Sequence, residues 1–320
     1  MNTIQTDLIF DPELIRKFDV NGPRYTSYPT ADRFVEAFNS TALCDWLGKR
    51  SIGGVGKPLS LYFHIPFCNT ICYYCACNKI ITKDHGRSAK YLAYLEKEVD
   101  LQVACLDGPR EVLQLHLGGG TPTFLSHDEL RQLMGTMAEQ FDLPALEEFT
   151  VEAGRPDCTD EEKLRIIKEY GATRISINPQ TFSDEVLRNI GRRHTAQDIL
   201  DCYRTARRVG HDNINMDLIA GLPGDTVEGF RHSLQTAIDL DPENITVHTL
   251  TLKRASNLVV EHRAADYADV AAMVESCELL EKAGYQVVFP DNLDSLCCGQ
   301  PFASKGYAEQ AEHKRQIGRA

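Results

Sequence analysis

Four cysteines within ten residues place the strongest constraint on what this chain can fold into. Cys68, Cys72, Cys75 and Cys77 follow an apolar, aromatic-rich run, Leu59 to Ile65, that predicts a buried strand. A proline directly after the run ends that strand, so the cysteines are expected in a loop. Their Cys-x3-Cys-x2-Cys spacing suits an iron–sulfur cluster, because soft thiolates select iron and sulfide. Three protein ligands would leave one iron open to a ligand from outside the protein.

Zinc or simple thiol chemistry is the alternative interpretation of this loop. Cys72 and Cys75 alone would suit a redox dithiol or half of a zinc site. However, zinc needs a second pair of ligands, and no Cys-x2-Cys or His-x3-His pair recurs downstream. A disulfide framework is not expected in a chain of 320 residues without a repeating cysteine pattern. Five cysteines that lie singly are expected to behave as small apolar residues, namely Cys44, Cys105, Cys158, Cys202 and Cys277.

Composition narrows the class of protein. A net charge of −12 argues against a nucleic-acid partner, because phosphate contacts need a basic surface. The first residues lack the charged and apolar regions of a secretory signal. No apolar run approaches the roughly 20 residues that cross a bilayer. The sequence therefore predicts a cytoplasmic protein with no membrane span and with reduced cysteines.

Alternating strand and helix patterns follow the first strand. Strands are predicted at 59–65, 112–117, 148–152, 173–178, 213–219 and 244–250, and helices near 87–105, 127–140, 160–169, 183–190, 196–209 and 226–239. Such an alternation predicts a parallel α/β sheet, either wrapped into a partial barrel or open and doubly wound. We expect an N-terminal arm at 1–58, the core at 59–255 and an atypical C-terminal segment at 256–320.

Chemistry-bearing residues lie at the carboxyl ends of these strands. Gly118-Gly-Gly-Thr-Pro-Thr123 would let the backbone approach a ligand, or would simply form a tight turn. Glu152 and Asp217 interrupt apolar strands and need partners, because a buried carboxylate is costly when unpaired. For Glu152 the alternative to a ligand contact is a salt bridge to Arg174. For Arg192 the alternative to a ligand contact is a position at a solvent-exposed helix end.

The cysteine spacing, with Tyr74 before the third cysteine, resembles the cluster motif of the radical S-adenosylmethionine (SAM) superfamily. The resemblance implies a partial (β/α)6 barrel in which Cys68, Cys72 and Cys75 hold a [4Fe–4S] cluster. The open iron would bind SAM, and one electron would then cleave SAM to a 5′-deoxyadenosyl radical. The residues that the resemblance assigns to SAM are Tyr62, Gly119, Gly120, Thr121, Glu152, Gln180, Arg192 and Asp217.

Two further segments resemble the oxygen-independent coproporphyrinogen III oxidase (coproporphyrinogen dehydrogenase) family. They are Tyr62-x-His64-Ile-Pro-Phe-Cys with the additional Cys77, and Gly22-Pro-Arg-Tyr-Thr-Ser-Tyr-Pro. The resemblance implies oxidative decarboxylation of coproporphyrinogen III propionates to vinyl groups, giving protoporphyrinogen IX in haem biosynthesis. It makes Cys77 and Arg24 catalytic candidates, with Arg24 in an arm over the site. It also implies a tetrapyrrole substrate, a low-potential electron donor of the flavodoxin or ferredoxin type, and a monomer.

The resemblance changes along the chain. The last 35 or so residues resemble instead the Cys-Cys-Gly element of iron–sulfur proteins of lactate and glycolate oxidation, but a second cluster at Cys297 and Cys298 is not expected because the usual partner cysteines are missing. We expect the family's C-terminal domain to be absent from this sequence. Two other functions stay open: a haem-carrying chaperone of the same superfamily, whose members generally lack Cys77 and the arm, and a radical SAM enzyme with another substrate.

Overall fold

A computed structural model describes residues 35–49, 51–52, 55–56, 58–106, 111–250, 256–260, 269, 272–273 and 276–285. They fall into two compact units, one from Ser40 to Cys277 and one that combines the residues up to 39 with those from 278 onward. The whole sheet and every site residue that the structure describes lie in the unit from Ser40 to Cys277. The boundaries expected at residues 58 and 255 stay predictions.

A six-stranded parallel sheet forms the centre of the larger unit. Its strands are β3 (Leu59–Ile65), β6 (Val112–Gly119), β7 (Glu148–Glu152), β8 (Arg174–Ser176), β9 (Ile214–Ala220) and β10 (Asn244–Thr249), and they lie side by side in chain order. Every neighbouring pair is parallel. A doubly wound sheet would reverse its strand order at a switch point. Strictly sequential order therefore excludes that alternative and confirms the parallel α/β fold of a partial barrel.

Helices connect successive strands. They are α2 (His85–Ala104), α3 (His127–Gln140), α4 (Glu161–Glu169), α5 (Asp184–Asn189), α6 (Ala196–Val209) and α7 (Val227–Asp239); outside this set are α1 (Ser40–Gly48), α8 (Asn257–Val260) and α9 (Glu278–Lys282). Short strands β1 (Ser51–Ile52) and β2 (Val55–Gly56) form an antiparallel pair. Ser126 and Glu129 form a reciprocal capping box that fixes the start of α3. None of the described helices is long and apolar enough to cross a membrane.

The two faces of the sheet differ in chemistry because successive side chains of a strand point in opposite directions. One face carries apolar residues with almost no exposure, including Ile65, Leu117, Phe149 and Val151. We call the opposite face the polar face. It carries Ser60, Tyr62, His64, Gln114, His116, Thr150, Glu152, Asn215, Asp217, Thr246 and His248. Sheet topology therefore gathers hydrogen-bonding groups from five strands on one surface.

One expectation about the cysteines is wrong. Cys44 on α1 and Cys105 directly after α2 are joined by a disulfide rather than lying singly as small apolar residues. The sequence gives no sign of this pair, because 61 residues separate its members and only the tertiary fold brings α1 to the end of α2. Cys158, Cys202 and Cys277 are free thiols, and the first two are buried as expected.

Asp225, in the turn after β9, carries a testable pH dependence. Burial raises the pKa of its carboxyl group to about 6 against one hydrogen bond from the Thr226 amide, and Oδ2 has no hydrogen-bond partner. The folded state then binds the proton more tightly than the unfolded state, so this group lowers stability as pH rises from about 4 to about 6. We expect Asp225→Asn to raise the free energy of unfolding by about 1–2 kcal/mol near pH 7.5 and to change it little near pH 4.

Urea unfolding at the two pH values measures this effect. Asp142→Asn, which replaces an exposed carboxylate, is the control and should stay within about 0.5 kcal/mol of the parent chain at both. An equal gain from Asp225→Asn at both pH values would contradict the titration argument.

Candidate functional site

The cysteine loop begins where β3 ends and is closed by a short parallel ladder. Strands β4 (Phe67–Cys68) and β5 (Ile80–Ile81) pair with each other. The Ile80 amide donates to the Pro66 carbonyl at 2.7 Å, and the Thr82 amide donates to the Cys68 carbonyl at 3.0 Å. The loop between these strands is therefore held at both ends at the carboxyl edge of the main sheet, which is where active sites of such folds collect.

Each of the three predicted cluster ligands has a distinct neighbour. Cys68 is buried and shares a hydrogen bond with Thr121 Oγ1 at 3.3 Å. The Cys72 Sγ atom lies 3.5 Å from Nη1 of Arg155. The Cys75 Sγ atom accepts from the backbone amide of Cys77 at 3.4 Å. Each of the three sulfur atoms thus has a polar group of the protein beside it.

The ionisation of these thiols is coupled. Hydrogen bonds from Cys77 lower the pKa of Cys75 to about 6 in spite of partial burial. The same contact is the largest cause of the raised pKa of Cys77. Burial raises the pKa of Cys68, and the nearby Cys72 and Cys75 add to that shift. Cys77 therefore acts as a donor that favours the thiolate form of Cys75.

The donor set fits an iron–sulfur cluster in kind. Among the residues that the structure describes, no three His, Cys, Asp or Glu side chains already converge on one metal position. Three thiols from one loop nevertheless match the preference of iron and sulfide for soft ligands. In addition, three buried polar atoms near the loop have no partner within the protein: Asn178 Oδ1, Gln180 Oε1 and Arg192 Nε. Unsatisfied buried groups of this kind indicate a surface made to receive a polar ligand.

The glycine element packs directly against the start of the cysteine loop. Gly119 has a φ of +118°, which favours glycine, and a Cβ atom there would lie 2.9 Å from the His64 ring. A Cβ atom on Gly120 would lie 2.7 Å from the Pro66 carbonyl oxygen. Thr121 is buried beside Cys68. The residues expected to hold SAM thus adjoin the expected cluster ligands.

Arg192 does not lie at a solvent-exposed helix end, which was the alternative that its residue type allowed. Its side chain is buried, and it donates to the Asn178 carbonyl and to the Tyr74 hydroxyl. Gln180 is also buried, with the positive φ of 69°, and forms a bridge to Leu218 of β9. Tyr74 and Arg192 therefore tie the cysteine loop to the segment that follows β8.

Tyr62 and Glu152 meet through a histidine on the polar face. The Tyr62 ring stacks on the His116 ring, with centroids 5.6 Å apart, and His116 Nε2 donates to Glu152 Oε1 at 3.1 Å. Arg174, offered as an alternative partner for Glu152, instead lies 3.8 Å from Glu148. The salt bridge to Arg174 is therefore wrong, and Glu152 stays half-exposed on the polar face.

The tautomer of a neighbouring histidine follows from its contacts. His64 Nε2 lies 2.9 Å from the Asn78 carbonyl, which can only accept, so Nε2 carries the proton. His64 Nδ1 then accepts from the Tyr62 hydroxyl at 3.1 Å. On β9, Asp217 accepts from Asn215 at 2.7 Å, and its second oxygen lies 3.9 Å from His248. Of the predicted SAM residues, Tyr62, Glu152 and Asp217 therefore lie on the polar face, and Gly119, Gly120 and Thr121 lie at the carboxyl end of β6. Gln180 and Arg192 lie in the segments that follow β8 and α5.

Some predicted features fall outside the described residues. These are the arm with Arg24 and the pair Cys297 and Cys298.

Sequence reasoning missed Arg155, Asp157, His194 and His116. The buried Arg155 guanidinium holds both carboxylate oxygens of Asp157, at 3.0 and 2.9 Å. Although burial opposes ionisation, the neighbouring His194 ring, 3.6 Å away, and the hydrogen bonds from Arg155 keep the pKa of Asp157 well below its usual range. The available signal was an arginine and an aspartate two residues apart directly after a strand end.

Comparison with known proteins agrees with this geometry. The model of the radical SAM superfamily matches residues 62–237. The oxygen-independent coproporphyrinogen III oxidase of Pseudomonas aeruginosa is 37% identical over 293 residues, covering 88% of this chain and 62% of that protein. The heme chaperone HemW of Bacillus subtilis is 41% identical over 196 residues, covering 61% of this chain and 51% of the chaperone.

A solved structure is also similar. Coproporphyrinogen III oxidase (HemN) from Escherichia coli, described as a radical SAM enzyme, matches with a TM-score of 0.76 and 32% identity over 88% of this chain and 63% of that chain. This chain therefore spans about three-fifths of the length of the oxidases that it resembles. Since the superfamily model covers more than half of the chain, the protein belongs to the radical SAM superfamily, whose members use a [4Fe–4S] cluster and S-adenosylmethionine.

Proposed function

We propose that the protein is an oxygen-independent coproporphyrinogen III oxidase. The observation that carries the proposal is the loop of four cysteines, with Cys77 donating to Cys75, at the carboxyl edge of a parallel sheet. Similarity to oxidases along 88% of the chain supports the choice of substrate. When bound, the cluster and SAM supply abstraction of a hydrogen atom from an unactivated C–H bond.

In this proposal the chain's own residues bind the cluster and SAM and orient them. Cys68, Cys72 and Cys75 hold the cluster. Gly119, Gly120 and Thr121 offer backbone groups and a hydroxyl to SAM beside it. The site would be completed by Tyr62 of β3, Glu152 of β7 and Asp217 of β9, together with Gln180 after β8 and Arg192 after α5. The supporting observation is that these side chains lie on the polar face or carry buried polar atoms without a protein partner, as Gln180 and Arg192 do.

The substrate side of the proposal concerns a tetrapyrrole with propionate groups. Conversion of one propionate to a vinyl group removes one hydrogen atom from the β-carbon, CO2 and one electron, so an electron acceptor is needed in addition to a low-potential donor. We propose Arg24 as a carboxylate partner and Cys77 as a catalytic group, since Cys77 is exposed beside Cys75. We further propose a monomer that works in the cytoplasm with a donor of the flavodoxin or ferredoxin type, because the four cysteines of the loop are free thiols, which a reducing compartment preserves.

Anaerobic reconstitution with iron and sulfide, followed by dithionite and SAM, tests the function. We expect 5′-deoxyadenosine to form, to increase with coproporphyrinogen III, and to accompany protoporphyrinogen IX. A chain with Cys68, Cys72 and Cys75 all replaced by alanine is the blank. Deoxyadenosine without a porphyrin product would reject the substrate while leaving the SAM site in place.

A haem-binding chaperone is the second candidate, favoured by 41% identity to a relative described as a heme chaperone. The two functions differ in what happens to added haem and added porphyrinogen. A Soret band that titrates with haem at one equivalent, without any vinyl product from coproporphyrinogen III, would support the chaperone and reject the oxidase.

A further inference from the structure

Arg155 is a buried cation whose hydrogen bonds reach the cysteine loop. It follows β7 in the Arg-Pro-Asp turn and is 4% exposed. Nη1 donates to the Thr70 carbonyl at 3.1 Å and lies 3.5 Å from Cys72 Sγ, a normal distance for an N–H donor and sulfur. Nη2 donates to the Thr70 hydroxyl at 2.6 Å. The guanidinium thus spans the part of the loop directly before Cys72.

The other side of this guanidinium is fixed by Asp157. Nε and Nη2 bind its two carboxylate oxygens, and the pair lies edge to edge as bidentate arginine–carboxylate pairs do. His194 lies 3.6 Å from the same carboxylate. Asp157 therefore holds the Arg155 guanidinium in place beside the cysteine loop. Arginine stays charged at any working pH, so this positive charge is permanent.

We propose that Arg155 is a positioning residue that orients Cys72 and makes reduction of the cluster bound through it easier. Reduction adds a negative charge to a group already surrounded by thiolates. A buried cation and an N–H donor at one of the sulfur atoms stabilise the reduced form, since cluster potentials follow net charge and hydrogen bonds to sulfur. Arg192 is a second buried cation near Cys72, with hydrogen bonds to the Asn178 carbonyl and the Tyr74 hydroxyl, so its charge adds to that of Arg155. This inference rests on membership of the superfamily and not on the substrate.

The test is the midpoint potential of the reconstituted full-length chain, measured by an anaerobic redox titration followed by electron paramagnetic resonance. Arg155→Met keeps an unbranched side chain of similar reach up to Nε and removes the charge and the donors of the guanidinium. We expect the equilibrium constant for reduction to fall at least tenfold, which is about 60 mV toward more negative potential for one electron. Arg155→Lys keeps the charge and should shift the potential less. Asp157→Asn removes the compensating charge and should shift it in the positive direction.

Arg131→Met is the matched control, because Arg131 is half-exposed on α3 and pairs there with Glu162 and Glu169. It should leave both iron content and potential unchanged. An unchanged potential in cluster-bearing Arg155→Met would overturn the proposal and leave a structural role alone. Should that variant hold no cluster, Arg155→Lys and Asp157→Asn decide: equal shifts in the same direction would overturn it, and a positive shift for Asp157→Asn only would support it.

Discussion

Replacing Cys75 by alanine is expected to reduce iron, after anaerobic reconstitution, from about four atoms per chain to less than one-tenth of that amount. Two thiolates cannot hold a cluster that needs three, and the hydrogen bonds from Cys77 lower the pKa of the Cys75 thiol to about 6. Replacing Cys77 should leave iron near four atoms per chain, because Cys77 acts on Cys75 as a donor and is not one of the three ligands. Iron and acid-labile sulfide per chain measure both outcomes.

Cys202→Ala is the control for thiol loss as such. Cys202 is a buried free thiol on α6, away from the cysteine loop, and its replacement should cost only the burial of one small side chain, about 1 kcal/mol. Iron binding should stay at the parent level. Equal iron loss from Cys77→Ala and Cys75→Ala would contradict the three-ligand assignment and favour a site that uses all four loop cysteines.

The elements of the fold could be predicted closely because their signals are local. The helix expected at 127–140 is observed with those bounds, since its capping box fixes the first residue. The strand expected at 148–152 is likewise observed at Glu148–Glu152. Strand β8 is shorter than the expected 173–178 and ends at Ser176, two residues before the Asn178-Pro179 step that leads to the positive φ of Gln180. Tertiary pairing, which sequence patterns do not carry, sets where such short strands stop.

The candidate site was only partly predictable, because some of its contacts depend on tertiary structure that local sequence patterns do not carry. The cysteine spacing lies within one loop, so sequence alone gives it. Arg155 meets Cys72 across 83 residues, and His116 meets Glu152 across 36 residues. The resemblance placed the SAM residues at strand ends but was silent on these partners. Buried hydrogen bonds between distant segments follow from sheet order and register, which had to be seen before Arg155 or His116 could be singled out.

Gly120→Ala is expected to disrupt the site from a position without any functional side chain. The Gly120 Cβ would lie 2.7 Å from the carbonyl oxygen and 2.8 Å from the carbonyl carbon of Pro66, and 2.9 Å from the Phe67 oxygen. All three are backbone atoms where the cysteine loop begins, so the loop itself must move. We expect the free energy of unfolding to fall by about 1–3 kcal/mol and iron retention to fall roughly tenfold.

Gly135→Ala is a control that is expected to change the free energy of unfolding in the opposite direction. Gly135 lies inside α3, where an added Cβ meets only Tyr170 Oη, at 3.9 Å, so the change should raise the free energy of unfolding by about 0.5–1 kcal/mol. Urea unfolding of the apo chain and iron content after reconstitution measure both variants. If Gly120→Ala unfolded at the same urea concentration as the parent chain and kept its iron, the close approach of Gly120 to Pro66 would not constrain the cysteine loop. Loss of iron with little loss of stability would instead show that the position of the loop, rather than the strength of the fold, limits cluster binding.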